Sequence, residues 1–153
     1  MFRGTILLID RFSRMNTLIN SYLSASGFVV ECMRSVDDLR TVRLNTIHLA
    51  LLDIDTAGGR LKEILEQMKS AGVPVIVLTS ESDHAGRLSA LELGAADVMS
   101  RPLDIAELVA RIRAAQARTQ VSVTGFDRPP VSFGGLTVDI SKYRAELDGE
   151  PLN

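Results

Sequence analysis

Five short apolar runs recur at near-regular spacing through residues 1–118, and they restrict the fold more than any other feature. They are TILLI (5–9), FVVECM (28–33), LALLDI (49–54), VPVIVLT (73–79) and ADVMS (96–100). TILLI, LALL and VIVL barely alternate in polarity, as strands do when both faces of a parallel sheet are covered. FVVECM and ADVMS are weaker and fit the sheet edges.

Helical patterns fill the gaps. Met15, Leu18, Ile19, Tyr22 and Leu23 recur on one helical stripe that ends near Gly27. Val36–Leu44 is a weaker second helix with Ser35 as its N-cap. Leu61, Ile64, Leu65 and Met68 form a third, closed by Gly72 and Pro74. Leu88 and Leu91, extended by Leu93, form a fourth closed by Gly94. Ile105, Leu108, Val109 and Ile112 form a fifth, with Asp104 near its start. Strand and helix alternate five times, which predicts a doubly wound α/β domain with right-handed crossovers. Ligands of such sheets bind beyond the carboxyl ends of the strands.

The strand ends therefore carry the chemistry: Asp10, Asp53, Asp55, Thr79, Ser80 and Arg101. Strand-end acids and hydroxyls also arise simply because loops are polar. Four strand ends converging on one crevice favour a site. Three carboxylates there repel unless paired with a cation or protonated. Such oxygen ligands suit Mg²⁺, and an aspartate beside it can act as a nucleophile toward phosphorus. Thr79 and Ser80 are placed to donate to phosphoryl oxygens, and Arg101, before Pro102, to neutralise charge.

Composition narrows the function. The net charge is −2 with a pI of about 5.7, which argues against this chain gripping nucleic acid alone, since phosphate contacts need clustered cations. Cys32 is the single cysteine, so a disulfide framework is excluded and a reducing compartment expected. The start MFRGTILLIDRF is cut by Asp10 and does not read as a signal peptide. No stretch nears the about 18 apolar residues of a membrane span. A cytoplasmic protein is expected.

After residue 118 the pattern changes. TQVSVTGFDRPP (119–130) ends in two prolines and reads as a linker. In 131–153, LTVDI and YRAEL alternate and DG marks a turn. So short a β-rich piece cannot form a core alone.

ILLID, LALLDID, VPVIVLTS and LELGAADVMSRPLDIAELVARIRA, in this order and spacing, closely resemble a bacterial response-regulator receiver domain over residues 4–118. The resemblance implies a flavodoxin-like fold with strand order 2-1-3-4-5. It matches Asp53 to the phosphoacceptor aspartate, Asp10 to the first acid of an acid pair, and Thr79 to the switch hydroxyl. Arg101 stands where the family has lysine before a proline, often across a cis bond. Asp55 stands where a backbone carbonyl helps bind Mg²⁺. VSFGGLTVDISKYRAELDGEPLN resembles the opening sheet of the winged-helix domain of OmpR/PhoB-type regulators. This implies a receiver at 1–118, a linker at 119–130 and the first strands of a truncated DNA-binding domain at 131–153, whose recognition helices would lie beyond Asn153.

Three departures bear on mechanism. The family's second acid is Arg11, its lysine is Arg101, and its switch aromatic is Val98. DIDTAGG (53–59) also lacks the usual proline. Asp10 and Asp53 face Arg11 and Arg101, so the pocket is neutral without metal. At about 4 Å and an effective dielectric near 20 each such contact is on the order of 4 kcal/mol before desolvation. A guanidinium fork suits carboxylates. The expectation is that Arg11 occupies the metal's place on Asp10 or Asp53, making Mg²⁺ binding doubtful and phosphorylation weak or absent. The alternative turns Arg11 to solvent, with Asp55 supplying the third carboxylate.

Arg87, Asp97, Glu107 and Arg111 resemble charges that OmpR/PhoB-type receivers use in a symmetric dimer of the fourth helix, fifth strand and fifth helix. There Arg87 would pair with Glu107, and Asp97 with Arg111, across the two-fold axis. A solvated helix face is the plainer reading. The leading function is thus the signal-input and dimerisation module of a DNA-binding regulator, not an enzyme. A conventional receiver phosphorylated on Asp53 by a histidine kinase is the alternative. LLDIDT also resembles the start of haloacid-dehalogenase-type phosphatases, but no later acidic metal motif follows Arg101.

Overall fold

The computed structural model describes residues 4–124, 131–133, 136–139, 144–148 and 150–151. The chain divides into two units, Met1–Gln116 and Ala117–Asn153.

The first unit holds a five-stranded parallel sheet of β1 (Thr5–Ile9), β2 (Val29–Met33), β3 (Leu49–Asp53), β4 (Val75–Ser80) and β5 (Asp97–Arg101), in the order β2-β1-β3-β4-β5. The two weaker runs are the two edges. Period-2 alternation splits each inner strand between two cores. Ile6, Leu8, Leu49, Leu51, Ile76 and Leu78 face one core, with Ile19 and Leu23 of α1 (Ser13–Ala25) and Leu108 and Ile112 of α5 (Ile105–Thr124). Leu7, Ile9, Ala50, Leu52, Val75 and Val77 face the other. Covering that face are α2 (Ile54–Ala57), α3 (Leu61–Ser70) and α4 (His84–Glu92), through Ala57, Ile64, Met68 and Ala90. This flavodoxin-like arrangement with helices on both faces is the expected one.

Three local expectations are corrected. Val36–Leu44 is not an α-helix: it forms two 3₁₀ turns, Val36–Thr41 and Leu44–Thr46. Ser35 does cap the first, accepting from the Asp37 N–H at 3.2 Å. On α1, Leu18 and Tyr22 are exposed, and the buried line is Asn16, Ile19 and Leu23. A polar residue joins that line because Asn16 Nδ2 donates to the Asp10 carbonyl at 2.6 Å. On α4, Leu88 and Leu91 are 59% and 48% exposed, and Ala90 is the buried residue. Helical spacing identified a shared face there, but that face points to solvent.

α5 continues through Thr124, so the segment expected as a linker begins as helix; residues 125–130 lie outside the described residues. The second unit holds an antiparallel sheet of β6 (Val131–Phe133), β7 (Leu136–Asp139), β8 (Arg144–Leu147) and β9 (Glu150–Pro151), in chain order. Asp148 takes a positive φ of 52° between paired Leu147 and Glu150. A positive φ is what the first position of a type I′ hairpin turn needs, and aspartate tolerates it.

Candidate functional site

The acids sit where the two central strands end. Asp10 follows β1, and its N–H donates to the Met33 carbonyl at the end of β2, at 2.9 Å. Its Oδ1 accepts from the Phe12 N–H at 2.8 Å, a local turn that fixes the carboxylate. Asp53 ends β3 and caps α2. Its Oδ2 accepts both the N–H of Thr56, at 2.9 Å, and the Thr56 hydroxyl, at 2.7 Å. The positive φ of 56° at Gly58 then ends α2 after a single turn.

Arg101, the last residue of β5, reaches both acids. Nη1 donates to Asp53 Oδ1 at 2.7 Å and Nη2 to Asp10 Oδ2 at 2.8 Å. One guanidinium thus bridges two strand ends, a use of the planar fork that lysine cannot reproduce. Asp10 and Asp53 are fully buried, and the Arg101 side chain is 21% exposed. Phe12 stands over the fork, its ring centroid 5.8 Å from Arg101 Cζ. The Arg101–Pro102 peptide bond is cis.

Two carboxylates meet one guanidinium here, so a negative charge is left over. Asp10 bears the consequence. Burial pushes its carboxyl above the usual range; the Phe12 N–H opposes this, the Asp53 charge adds to it, and Arg101 opposes it.

Arg101 neutralises charge in the pocket as expected, but Arg11, expected to join it on Asp10 or Asp53, does not. With Asp10 turned inward, the next side chain turns outward. Arg11 is exposed, its Cζ 5.0 Å from the Phe12 ring centroid. Only its backbone serves the site, the N–H donating to Thr56 Oγ1 at 3.1 Å. Asp55 is exposed in the first turn of α2. Thr79 is fully buried at the end of β4, and its hydroxyl finds no hydrogen-bond partner among the described residues. Ser80 is exposed.

Asp10 and Asp53 are the residues that would hold the Mg²⁺ the resemblance implies. Their arrangement does not fit a divalent cation while Arg101 is in place: Asp53 Oδ1 and Asp10 Oδ2 already bond one guanidinium. Among the described residues no three histidine, cysteine or acidic side chains are grouped to hold a metal.

Arg87, Asp97, Glu107 and Arg111 share the region of α4, β5 and α5. Within one chain Arg111 bonds Asp97 at 2.7 Å and Glu107 at 2.8 Å. Arg87 Nη1 donates to Ser100 Oγ at 3.3 Å. The Asp97–Arg111 contact is thus intramolecular here. Sequence reasoning passed over Thr56, Phe12 and Asn16. The D-x-x-T spacing from Asp53 to Thr56, with cap and third helical residue in register, was the available signal.

The model of the response regulator receiver domain matches residues 6–113. The chain is 37% identical to the transcriptional regulatory protein GltR of Pseudomonas aeruginosa, over 95% of this chain and 62% of GltR. It is 32% identical to the TorCAD operon regulatory protein TorR of Escherichia coli, over 96% of this chain and 66% of TorR. It is 29% identical to the phosphate regulon regulatory protein PhoB of P. aeruginosa, over 99% of this chain and 67% of PhoB. It thus spans somewhat under two thirds of the length of GltR and TorR. A response regulator receiver domain from Clostridium thermocellum superposes with a TM-score of 0.69 at 26% identity, covering 78% of this chain and 98% of that one. DrrB of Thermotoga maritima, described as an OmpR/PhoB homologue, shares the fold with a TM-score of 0.58 at 20% identity, over 99% of this chain and 67% of DrrB.

Proposed function

The chain belongs to the response regulator receiver domain family, and we propose that it is the input module of an OmpR/PhoB-type transcription regulator whose acid pocket is held shut by its own arginine. Phosphorylation of Asp53 with Mg²⁺ is then weak or absent, and the module is governed by abundance, a ligand or a partner. The observation that carries this reading is the pair of hydrogen-bonded ion pairs that Arg101 makes, one to Asp53 and one to Asp10. Both oxygens of each acid already have partners. Mg²⁺ would have to displace a largely buried guanidinium that bridges two carboxylates and would recover only those two.

The second unit, with its antiparallel sheet, supports a DNA-binding domain continuing beyond this chain, as does similarity to relatives named transcriptional regulators. No helix among the described residues is long and apolar enough to cross a membrane; a cytoplasmic regulator is the corresponding proposal. Homodimerisation through α4, β5 and α5 is supported by exposed Leu88 and Leu91 on α4 and by the Arg111–Asp97–Glu107 cluster on β5 and α5. A phosphatase role is set aside, because receiver domains of transcription regulators are not enzymes.

The second reading, phosphorylation of Asp53 by a histidine kinase, is favoured by the placement of Asp10, Asp53 and Thr79 at the carboxyl ends of the neighbouring strands β1, β3 and β4. Titration with Mg²⁺ and beryllofluoride, followed by backbone amide NMR shifts, separates the two. Our reading expects the amides around Asp53 to stay in place. Saturable shifts there at millimolar Mg²⁺ would establish the conventional receiver instead.

A further inference from the structure

Asp53 is held by two devices drawn from different parts of the chain. Arg101 comes from β5 and acts on Oδ1. Thr56 lies three residues after Asp53 and acts on Oδ2, donating its N–H at 2.9 Å and its O–H at 2.7 Å. A hydroxyl has one proton to give. The Arg11 N–H, 3.1 Å from Thr56 Oγ1, occupies an acceptor direction of that oxygen. This leaves the proton directed at Asp53. A carboxylate oxygen has about two lone-pair directions, and Thr56 fills both on Oδ2.

From this geometry we infer that Thr56 is a second latch on Asp53, a positioning residue that keeps the carboxylate unreactive even when Arg101 is removed. The inference rests on the reading that Arg101 closes the pocket, and it deepens that reading. In the reaction held off, an Asp53 oxygen forms a bond to phosphorus and the bond from phosphorus to its donor oxygen breaks. With acetyl phosphate the electron pair leaves on acetate. Freeing Oδ1 alone leaves Oδ2 accepting two hydrogen bonds from Thr56, which hold the carboxylate plane. A carboxylate that must both ligate a cation and attack phosphorus needs both oxygens.

The test uses the 153-residue chain and four variants, Arg101→Lys, Thr56→Val, Arg101→Lys/Thr56→Val and Arg101→Lys/Thr56→Ser. Each is incubated with acetyl phosphate and Mg²⁺, and the phosphoryl adduct is read by intact mass. Adding Asp53→Asn to the valine double variant must abolish the adduct. The Arg101→Lys/Thr56→Val protein is expected to form adduct about tenfold faster than Arg101→Lys, the worth of one hydrogen bond to a charged group. Serine, which keeps the hydroxyl, should return the rate to that of Arg101→Lys. Equal rates for Arg101→Lys and the valine double variant would overturn the second latch, as would serine behaving like valine. An adduct on the unmutated chain removes the reading of a closed pocket instead, and Thr56→Val against the unmutated chain then decides the latch alone. If the double variants do not fold, the unmutated protein still decides: a Thr56 hydroxyl proton held on Asp53 Oδ2 should exchange slowly enough with water to give its own NMR resonance. A Thr56 hydroxyl in free exchange with water refutes the latch.

Discussion

Arg101 donates to Asp53 at 2.7 Å although 48 residues separate them in the chain. The bond forms because both stand at strand ends, on the same face parity. Asp53 lies two residues past Leu51 and Arg101 two past Met99, and Leu51 and Met99 share one core. Asp10, two past Leu8, joins them. The pocket is thus assembled by strand alternation and closed by side-chain length.

Removing the guanidinium exposes what it neutralises. Arg101→Ala leaves Asp10 and Asp53 facing each other while still largely buried. A loss of about 2 kcal/mol or more is expected in urea unfolding, discounted from fully buried pairs because Arg101 is partly exposed. Mg²⁺ should restore stability to this variant and leave the unmutated chain unchanged. At a hundredfold excess over Kd the recovery is about 2.7 kcal/mol. Equal Mg²⁺ responses in the two proteins would refute the role of Arg101.

Asp10 sets a pH dependence of unusual sign. Burial raises its carboxyl above the ordinary value, so the folded chain binds this proton more readily than the unfolded chain. Between the ordinary carboxylate range and the raised value, the contribution of Asp10 to stability increases as pH falls and declines as pH rises. A paired surface aspartate behaves in the reverse way. Carboxyl carbon NMR of Asp10 should show a midpoint above the ordinary aspartate range. A lower midpoint would mean that the Arg101 and Phe12 bonds outweigh burial.

The two edges and the strand-end placement of Asp10, Asp53 and Arg101 were legible in the runs themselves, while the sheet order came through the resemblance to receiver domains. Unalternating runs mark inner strands, and their ends mark the crevice. The exclusion of Arg11 from the pocket was not. Arg11 and Arg101 are alike in charge, and only the outward turn after Asp10 decides between them. Leu88 and Leu91 illustrate a similar limit. Their spacing defines one face of α4, while the packing of Ala90 decides which face is covered. Thr56 escaped notice because its role depends on a one-turn helix that Asp53 itself caps.

Thr79 carries a buried hydroxyl with no partner among the described residues. Burying such a group without a bond is unfavourable. Thr79→Val keeps the shape and deletes the hydroxyl, so it should leave thermal stability unchanged or raise it by about 1 kcal/mol. A marked loss would show that the hydroxyl is bonded in solution.

The α4, β5 and α5 surface sets the last expectation. Arg111 is bonded within the chain to Asp97 and Glu107, so a two-fold partner must compete for the same donors or add to them. Exposed ion pairs contribute little, which leaves Leu88 and Leu91 as the main source of affinity. At about 25 cal/mol per Å² of apolar area, their burial drives association and the charges fix its register. Sedimentation at increasing concentration should therefore show a dimer that Leu88→Glu abolishes. Asp97→Arg should weaken it through repulsion of Arg111, an effect that added salt reduces. A chain that stays monomeric at high micromolar concentration would rule out this face as a dimer interface for these 153 residues. A dimer indifferent to Leu88→Glu would place the interface elsewhere.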